Sequence, residues 1–234
     1  MKYLFDSSDT IVNGVGFSHF SPLHLGWLAA AVIITVCLCF IYKRCDEKKR
    51  RIIKFTLCTL VVLDEIAKII ITGYHGDYFP KYLPLHLCSI NIFTIIIYSV
   101  KPSKLLGNFL YTICTPAAAL ALLFPTWTKL PFFNVMHWHS FTVHIMLLAF
   151  PLLLIASGEV MPKLKDMLKS IVVLICMAIP IAVFNLIFDT NFMFLTKADK
   201  GNPLYIFDSC YATIDDVLEY FEIDGKKLKD IILE

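Results

Sequence analysis

LHLGWLAAAVIITVCLCFIY, residues Leu23–Tyr42, runs for twenty residues without a charged side chain. A helix crossing a hydrocarbon core about 30 Å thick takes about 20 apolar residues at a rise of about 1.5 Å each. This stretch therefore reads as a membrane span. Five more apolar runs follow, at Ile52–Ile71, Leu85–Val100, Leu105–Phe124, Phe132–Ser157 and Leu168–Phe188. Together they take about half of the chain and leave short loops. Composition agrees: 58% of the 234 residues are hydrophobic, 17% are charged and the mean hydropathy is +0.71. A soluble domain of this length needs far more polar surface.

The expected fold is all-α, a polytopic membrane bundle of about six transmembrane helices. Residues 1–22 form an N-terminal segment, 23–188 the transmembrane domain and 189–234 a polar tail. Within the tail, Ala212–Phe221 (ATIDDVLEYF) has the pattern of an amphipathic helix. Met1–Phe20 lacks the basic start and short apolar run of a cleavable leader. Pro116, Pro151 and Pro180 fall inside later runs, where kinked membrane helices tolerate them.

Lys and Arg in short loops set orientation. The loop YKRCDEKKRRIIK between the first two runs holds seven, including all three arginines. With KPSK and PKLKDMLK, one side carries twelve Lys and Arg, against Lys2, Lys81 and Lys129 in the N-terminal segment and the two opposite loops. The basic side is expected in the cytoplasm, which places both termini outside the cell membrane. The basic loop is read as a topology determinant rather than a nucleic-acid site. Six of the eight cysteines lie inside apolar runs and no CxxC pair occurs, so no disulfide framework is expected.

All seven histidines fall on the less basic side: His19, His24, His75, His86, His137, His139 and His144. The third run is short and anchored by Lys101. Cys88 is thirteen residues from that anchor, hence roughly 10 Å below the outer face. The chain must reach that depth without helix through Phe79–Pro84, with Pro84 suited to a first helical position. Irregular backbone at that depth is tolerated only against protein or a wet cavity, and a helix start there aims free N–H groups into the membrane. Glu65 lies roughly 9 Å deep, and His139 and His144 roughly 10 and 18 Å. Asn91 follows Cys88 by three residues on one helix face. Asn185, Asp189 and Asn191 close the last run on the same side. Polar groups in a membrane are costly and face the bundle interior, so several at one level suggest one outward-opening cavity. A bland reading stands beside it: Asp64, Glu65 and Lys68 neutralise one another within a helix turn, and a single histidine more often bonds between helices than catalyses.

LPLHLCSI, Leu83–Ile90, resembles a motif of the YwaF-type bacterial membrane proteins, a family related to transmembrane protein 164. GFSHFSPLHL before the first run, Glu65 in the second, HSFTVH ending at His144 and TNFMFL with Asn191 resemble further family segments in the same order. The resemblance spans most of residues 17–203. It departs after Asn202, where the family often continues into another apolar helix and this tail is polar. The animal relatives are acyltransferases of phospholipid acyl chains that work through the cysteine of the LC motif. Distant relatives are lipid hydrolases with a threonine nucleophile and a helix histidine.

The resemblance and the shared depth together imply a thiol acyl enzyme acting on membrane lipids. Cys88 would be the nucleophile, since a helix N-terminus and a nearby histidine favour a thiolate. His144 would be the general base, with His139 as alternate. Asn91 or free N–H groups near Pro84 would stabilise an oxyanion, and Glu65 would orient a histidine. His86, His137, Asn185 and Asn191 would line the substrate cavity. No cofactor or nucleic-acid partner is implied. Two other classes remain open. A proton-coupled transporter or inert binding scaffold would use the same polar cavity, although paired interrupted helices are missing. A metal hydrolase would use His137, His144 and His86, but no HExxH occurs.

Overall fold

Ser21 starts the first helix by accepting the His24 N–H at its side chain, with Pro22 in the first turn, where its missing N–H costs nothing. The computed structural model describes residues 3–6, 10–12, 14–76, 78–197, 222–223 and 226–227. The helix α1 covers Pro22–Arg44, α2 Glu47–Tyr74 and α3 Leu87–Val100. A fourth rod is α4, Lys104–Phe109, a π segment, Leu110–Cys114, and α5, Thr115–Leu123. The π segment ends two residues before Pro116, which has no N–H to give an i→i−4 bond. Next come α6, Val135–Ala156, and α7, Leu164–Phe188, each with an internal proline. The described part of the tail holds one two-residue antiparallel ladder, β1 (Glu222–Ile223) with β2 (Lys226–Lys227). The amphipathic helix expected at Ala212–Phe221 lies outside the described residues.

Among the described residues six helical rods thus stand where the sequence has six apolar runs. Four of these are long and apolar enough to cross a membrane: α1, Lys104–Leu123, α6 and residues 165–188 of α7. The helix α2 has the length, 28 residues, but carries Asp64, Glu65 and Lys68 in its apolar half. At 14 residues, α3 reaches only roughly 21 Å. It starts two residues later than the sequence suggests. Pro84 sits in a non-helical lead-in, where the Leu85 N–H bonds Leu83 O, and His86 occupies the cap position. By contrast α2 begins five residues early, because the Asp46 side chain accepts the Lys49 N–H and extends the helix into the basic loop. The chain is a helical membrane protein.

Two compact units divide it, Met1–Leu174 and Ile175–Glu234. In the first, α6 is central. It packs on α1, α2, α3 and α5 and buries side chains all round, Phe141, Leu147 and Phe150 among them. The outward sides of α1 show Val32, Ile33, Val36 and Phe40, the apolar surface that lipid covers. Packing is aromatic near the non-basic helix ends, where Trp27 stacks on Phe141 at 4.7 Å with planes 1° apart. At the opposite end Glu159 ties three elements together. It accepts Tyr42 Oη at 2.6 Å and Lys54 Nζ at 2.9 Å, with Arg50 Nη1 3.9 Å away.

The N-terminal segment is strapped onto the α5–α6 connection. Phe17 N donates to Thr128 O at 2.8 Å, and His19 Nε2 lies 3.1 Å from Pro125 O. Gly16 makes that approach possible: a Cβ there would sit 2.0 Å from Thr128 O and 2.7 Å from the Lys129 carbonyl. Backbone must move to admit it. Gly16→Ala is expected to cost about 1–3 kcal/mol and to raise amide hydrogen exchange at Phe17 and in the 125–130 loop. Unchanged exchange there would refute the strap.

Candidate active site

A cavity of about 270 Å³ opens in the first unit at the helix ends remote from Glu159. Its walls come from three helices. The helix α2 supplies Glu65, Lys68 and Thr72, α3 and its lead-in supply His86, Cys88 and Ser89, and α6 supplies His139, Ser140 and His144. Trp127 closes one side. Of the nine residues that the sequence groups at one site, Cys88, Glu65, His86, His139 and His144 line this cavity, and Asn91, His137, Asn185 and Asn191 do not.

Cys88 sits in the first turn of α3, and that turn is unusual. The side chains of Ser21, Asp46, Ser103 and Asn134 cap α1, α2, α4 and α6. His86, the cap residue of α3, makes no such bond. The first N–H groups of a helix have no intrahelical partner, so α3 presents free donors and a positive dipole end at the cavity wall.

Next to the thiol stands a charged cluster. Lys68 Nζ donates to Glu65 Oε1 and lies 3.4 Å from Ser89 Oγ, and Ser89 Oγ donates to Glu65 Oε1 at 3.3 Å. Glu65 is therefore committed to Lys68 and Ser89. The carboxylate that meets a histidine is its neighbour Asp64. Asp64 Oδ1 lies 3.2 Å from His139 Nδ1, close but not aligned as a hydrogen bond, while Oδ2 accepts Thr142 Oγ1 at 2.9 Å.

His144 is oriented from both sides. Its Nδ1 lies 2.6 Å from Ser140 O. A carbonyl only accepts, so Nδ1 carries the proton and Nε2 keeps its lone pair. Trp127 stacks on the ring at 5.0 Å, with planes 19° apart. Rotation of the imidazole is thereby restricted.

A family model described as the TMEM164 family matches residues 19–213. The chain belongs to the TMEM164 family. No curated protein and no solved structure gives a significant match. The matched range takes in every TMEM164-family segment quoted from the sequence from His19 onward, including Cys88 and His144.

Other residues singled out in this TMEM164-family chain stand elsewhere. Asn91 is 1% exposed, its carboxamide has no partner among the described residues, and it does not line the cavity. His137 is bound on both nitrogens. Trp27 Nε1 donates to Nε2 at 3.0 Å, and Nδ1 donates to Leu130 O at 3.1 Å. That is the interhelical hydrogen-bonding role, and His24 has it too, between Phe20 N and Leu122 O. Asn185 and Asn191 belong to the second unit. Asn185 Oδ1 accepts Thr190 Oγ1 and Phe192 N, and Asn191 Oδ1 accepts Thr196 N and Oγ1. They fasten the turn after α7. Among the described residues no three His, Cys, Asp or Glu side chains are placed to hold a metal, which leaves the metal-hydrolase reading without a ligand set there.

Lys68, Ser89 and Trp127 were missed as cavity residues. Lys68 reads from sequence as a counter-ion only. Ser89 had a signal, its place beside Cys88 in a turn whose side chains enter the cavity.

Proposed function

We propose that this chain is an intramembrane thiol acyl enzyme that takes an acyl group from a membrane lipid ester. One observation carries the reading. Cys88, at an uncapped helix start, shares a cavity with His144, whose Nδ1 is occupied and whose Nε2 is free. His144 Nε2 takes the thiol proton, and the sulfur forms a bond to the ester carbonyl carbon. The carbonyl π pair moves onto oxygen, where the N–H groups at the start of α3 are the available donors. Collapse breaks the ester C–O bond. The leaving alkoxide takes the proton from His144, and a thioester remains on Cys88. A second hydroxyl, of a lipid or of water, repeats the sequence and restores the thiol. The charge asymmetry of the loops supports a cavity that faces away from the cytoplasm.

The test is labelling of the purified chain with a lipid-like, thiol-reactive acyl probe, mapped by mass spectrometry. Cys88 is expected to react ahead of the other cysteines and Cys88→Ala to lose the signal. Cys37 and Cys176 are exposed on apolar helices, so access alone would favour them. Labelling that prefers those two sinks the reading.

A second reading rests on the line Asp64, Glu65, Lys68 and His139 across α2 and α6. Ionisable groups at this depth mark proton and solute paths. Proton-dependent uptake that survives Cys88→Ala would favour a transporter.

A further inference from the structure

A second groove runs along the first turns of α2, away from the cavity. Lys48, Arg51, Ile52, Phe55, Thr56 and Thr59 line it, and Leu60 closes its far end. The spacing puts all of them on one helix face. All are exposed among the described residues.

Three observations set this face apart from an ordinary lipid-facing one. First, its cations are unpaired while their neighbours are not. Lys49 pairs with Asp46, and Arg50 and Lys54 meet Glu159. Lys48 and Arg51 have no carboxylate within ion-pair distance among the described residues. Second, Arg51 lies along the face: its guanidinium is 5.7 Å from the centre of the Phe55 ring, one turn further along the helix. Third, two hydroxyls face outward unused. Thr72, Thr94, Thr112 and Thr142 return their hydroxyls to backbone carbonyls, the usual solution in an apolar medium. Among the described residues Thr56 and Thr59 have no such bond. They lie roughly 12 and 16 Å along the helix from Lys48, where hydrocarbon offers no acceptor and an unmet hydroxyl is costly.

We propose that this face binds one anionic glycerophospholipid of the surrounding bilayer. Its phosphate sits against Lys48 and Arg51, its ester carbonyl oxygens accept from Thr56 and Thr59, and an acyl chain lies over Ile52, Phe55 and Leu60. The face offers cations, hydroxyl donors and then apolar surface, in the order in which such a lipid presents anion, acceptors and hydrocarbon. A zwitterionic lipid fits less well, because its own cation competes with Arg51 and Lys48 for the phosphate. The inference is independent of any chemistry at Cys88.

The full chain in mild detergent, titrated with phosphatidylglycerol or with phosphatidylcholine of the same acyl chains, tests this by native mass spectrometry. Wild type is expected to retain one phosphatidylglycerol in preference to phosphatidylcholine. Lys48→Gln with Arg51→Gln is expected to weaken that binding about thirtyfold, and Thr56→Val with Thr59→Val to weaken it without abolishing the head-group preference. Lys49→Gln, which changes a nearby paired cation, is expected to have no effect. The proposal is overturned if both lipids bind equally, if Lys49→Gln acts as strongly as the groove variant, or if a second copy of the chain occupies this face, seen as a dimer that the groove substitutions dissociate. Circular dichroism of each variant checks that it is folded.

Discussion

His144→Ala should slow acylation of Cys88 by about 10²- to 10⁴-fold, the range that a positioned general base contributes. At about 1.4 kcal/mol per decade this is roughly 3–5 kcal/mol of barrier. The expectation follows from the tautomer. With Nδ1 donating to Ser140 O at 2.6 Å, the free lone pair is at Nε2, on a ring held by Trp127. His139 differs. Its Nδ1 faces Asp64 at 3.2 Å, and its loss also removes one of the polar contacts between α2 and α6. His139→Ala should therefore lower thermal stability more than His144→Ala and slow acylation less. Single-turnover labelling rates at Cys88, with melting temperatures measured in parallel, separate the two. Equal rates for wild type and His144→Ala would assign the base elsewhere, with His139 and His86 next.

Much of this site was legible because depth in a membrane can be counted along a helix. Residue counts from Lys101 and from helix ends put Cys88, Glu65, His139 and His144 at depths of roughly 9 to 18 Å, and all four line the cavity. The spans were legible for the same reason: the apolar runs set the helices and capping moved their ends. What residue counts cannot give is rotation and partnership. His137 stands seven residues before His144 and was grouped with it. The Asn134 cap and the Leu130 carbonyl instead hold it against Trp27, with both nitrogens used. Asn91 shares a face with Cys88 in projection, yet its carboxamide is buried away from the cavity lining. The Asp64–His139 contact joins helices far apart in sequence. Neither residue carries a local pattern that announces the other, and only the packing of α2 on α6 chooses Asp64 over Glu65.

Lys68→Met should be the most destabilising single change in the cavity. The ammonium is the partner of Glu65 and reaches Ser89, with side-chain exposures of 11% for Lys68 and 12% for Glu65. Removing one member of a buried pair leaves the other charge uncompensated and costs about 3–5 kcal/mol. Replacing both with apolar or neutral residues of similar volume is often close to neutral. Glu65→Gln with Lys68→Met should therefore recover most of the stability that Lys68→Met loses. The coupling in that double-mutant cycle, read as thermal stability in detergent, measures the pair. Lys49, exposed like its partner Asp46, is the control: Lys49→Met should leave the melting temperature nearly unchanged. The cycle also separates the stability role of the pair from its place beside the thiol. A double variant that folds as well as wild type but no longer acylates Cys88 would put the Lys68 charge in the reaction, as a stabiliser of the developing oxyanion. A double variant that folds and acylates normally would make the pair a strut between α2 and α3, and would leave the α3 N–H groups as the donors that the chemistry uses.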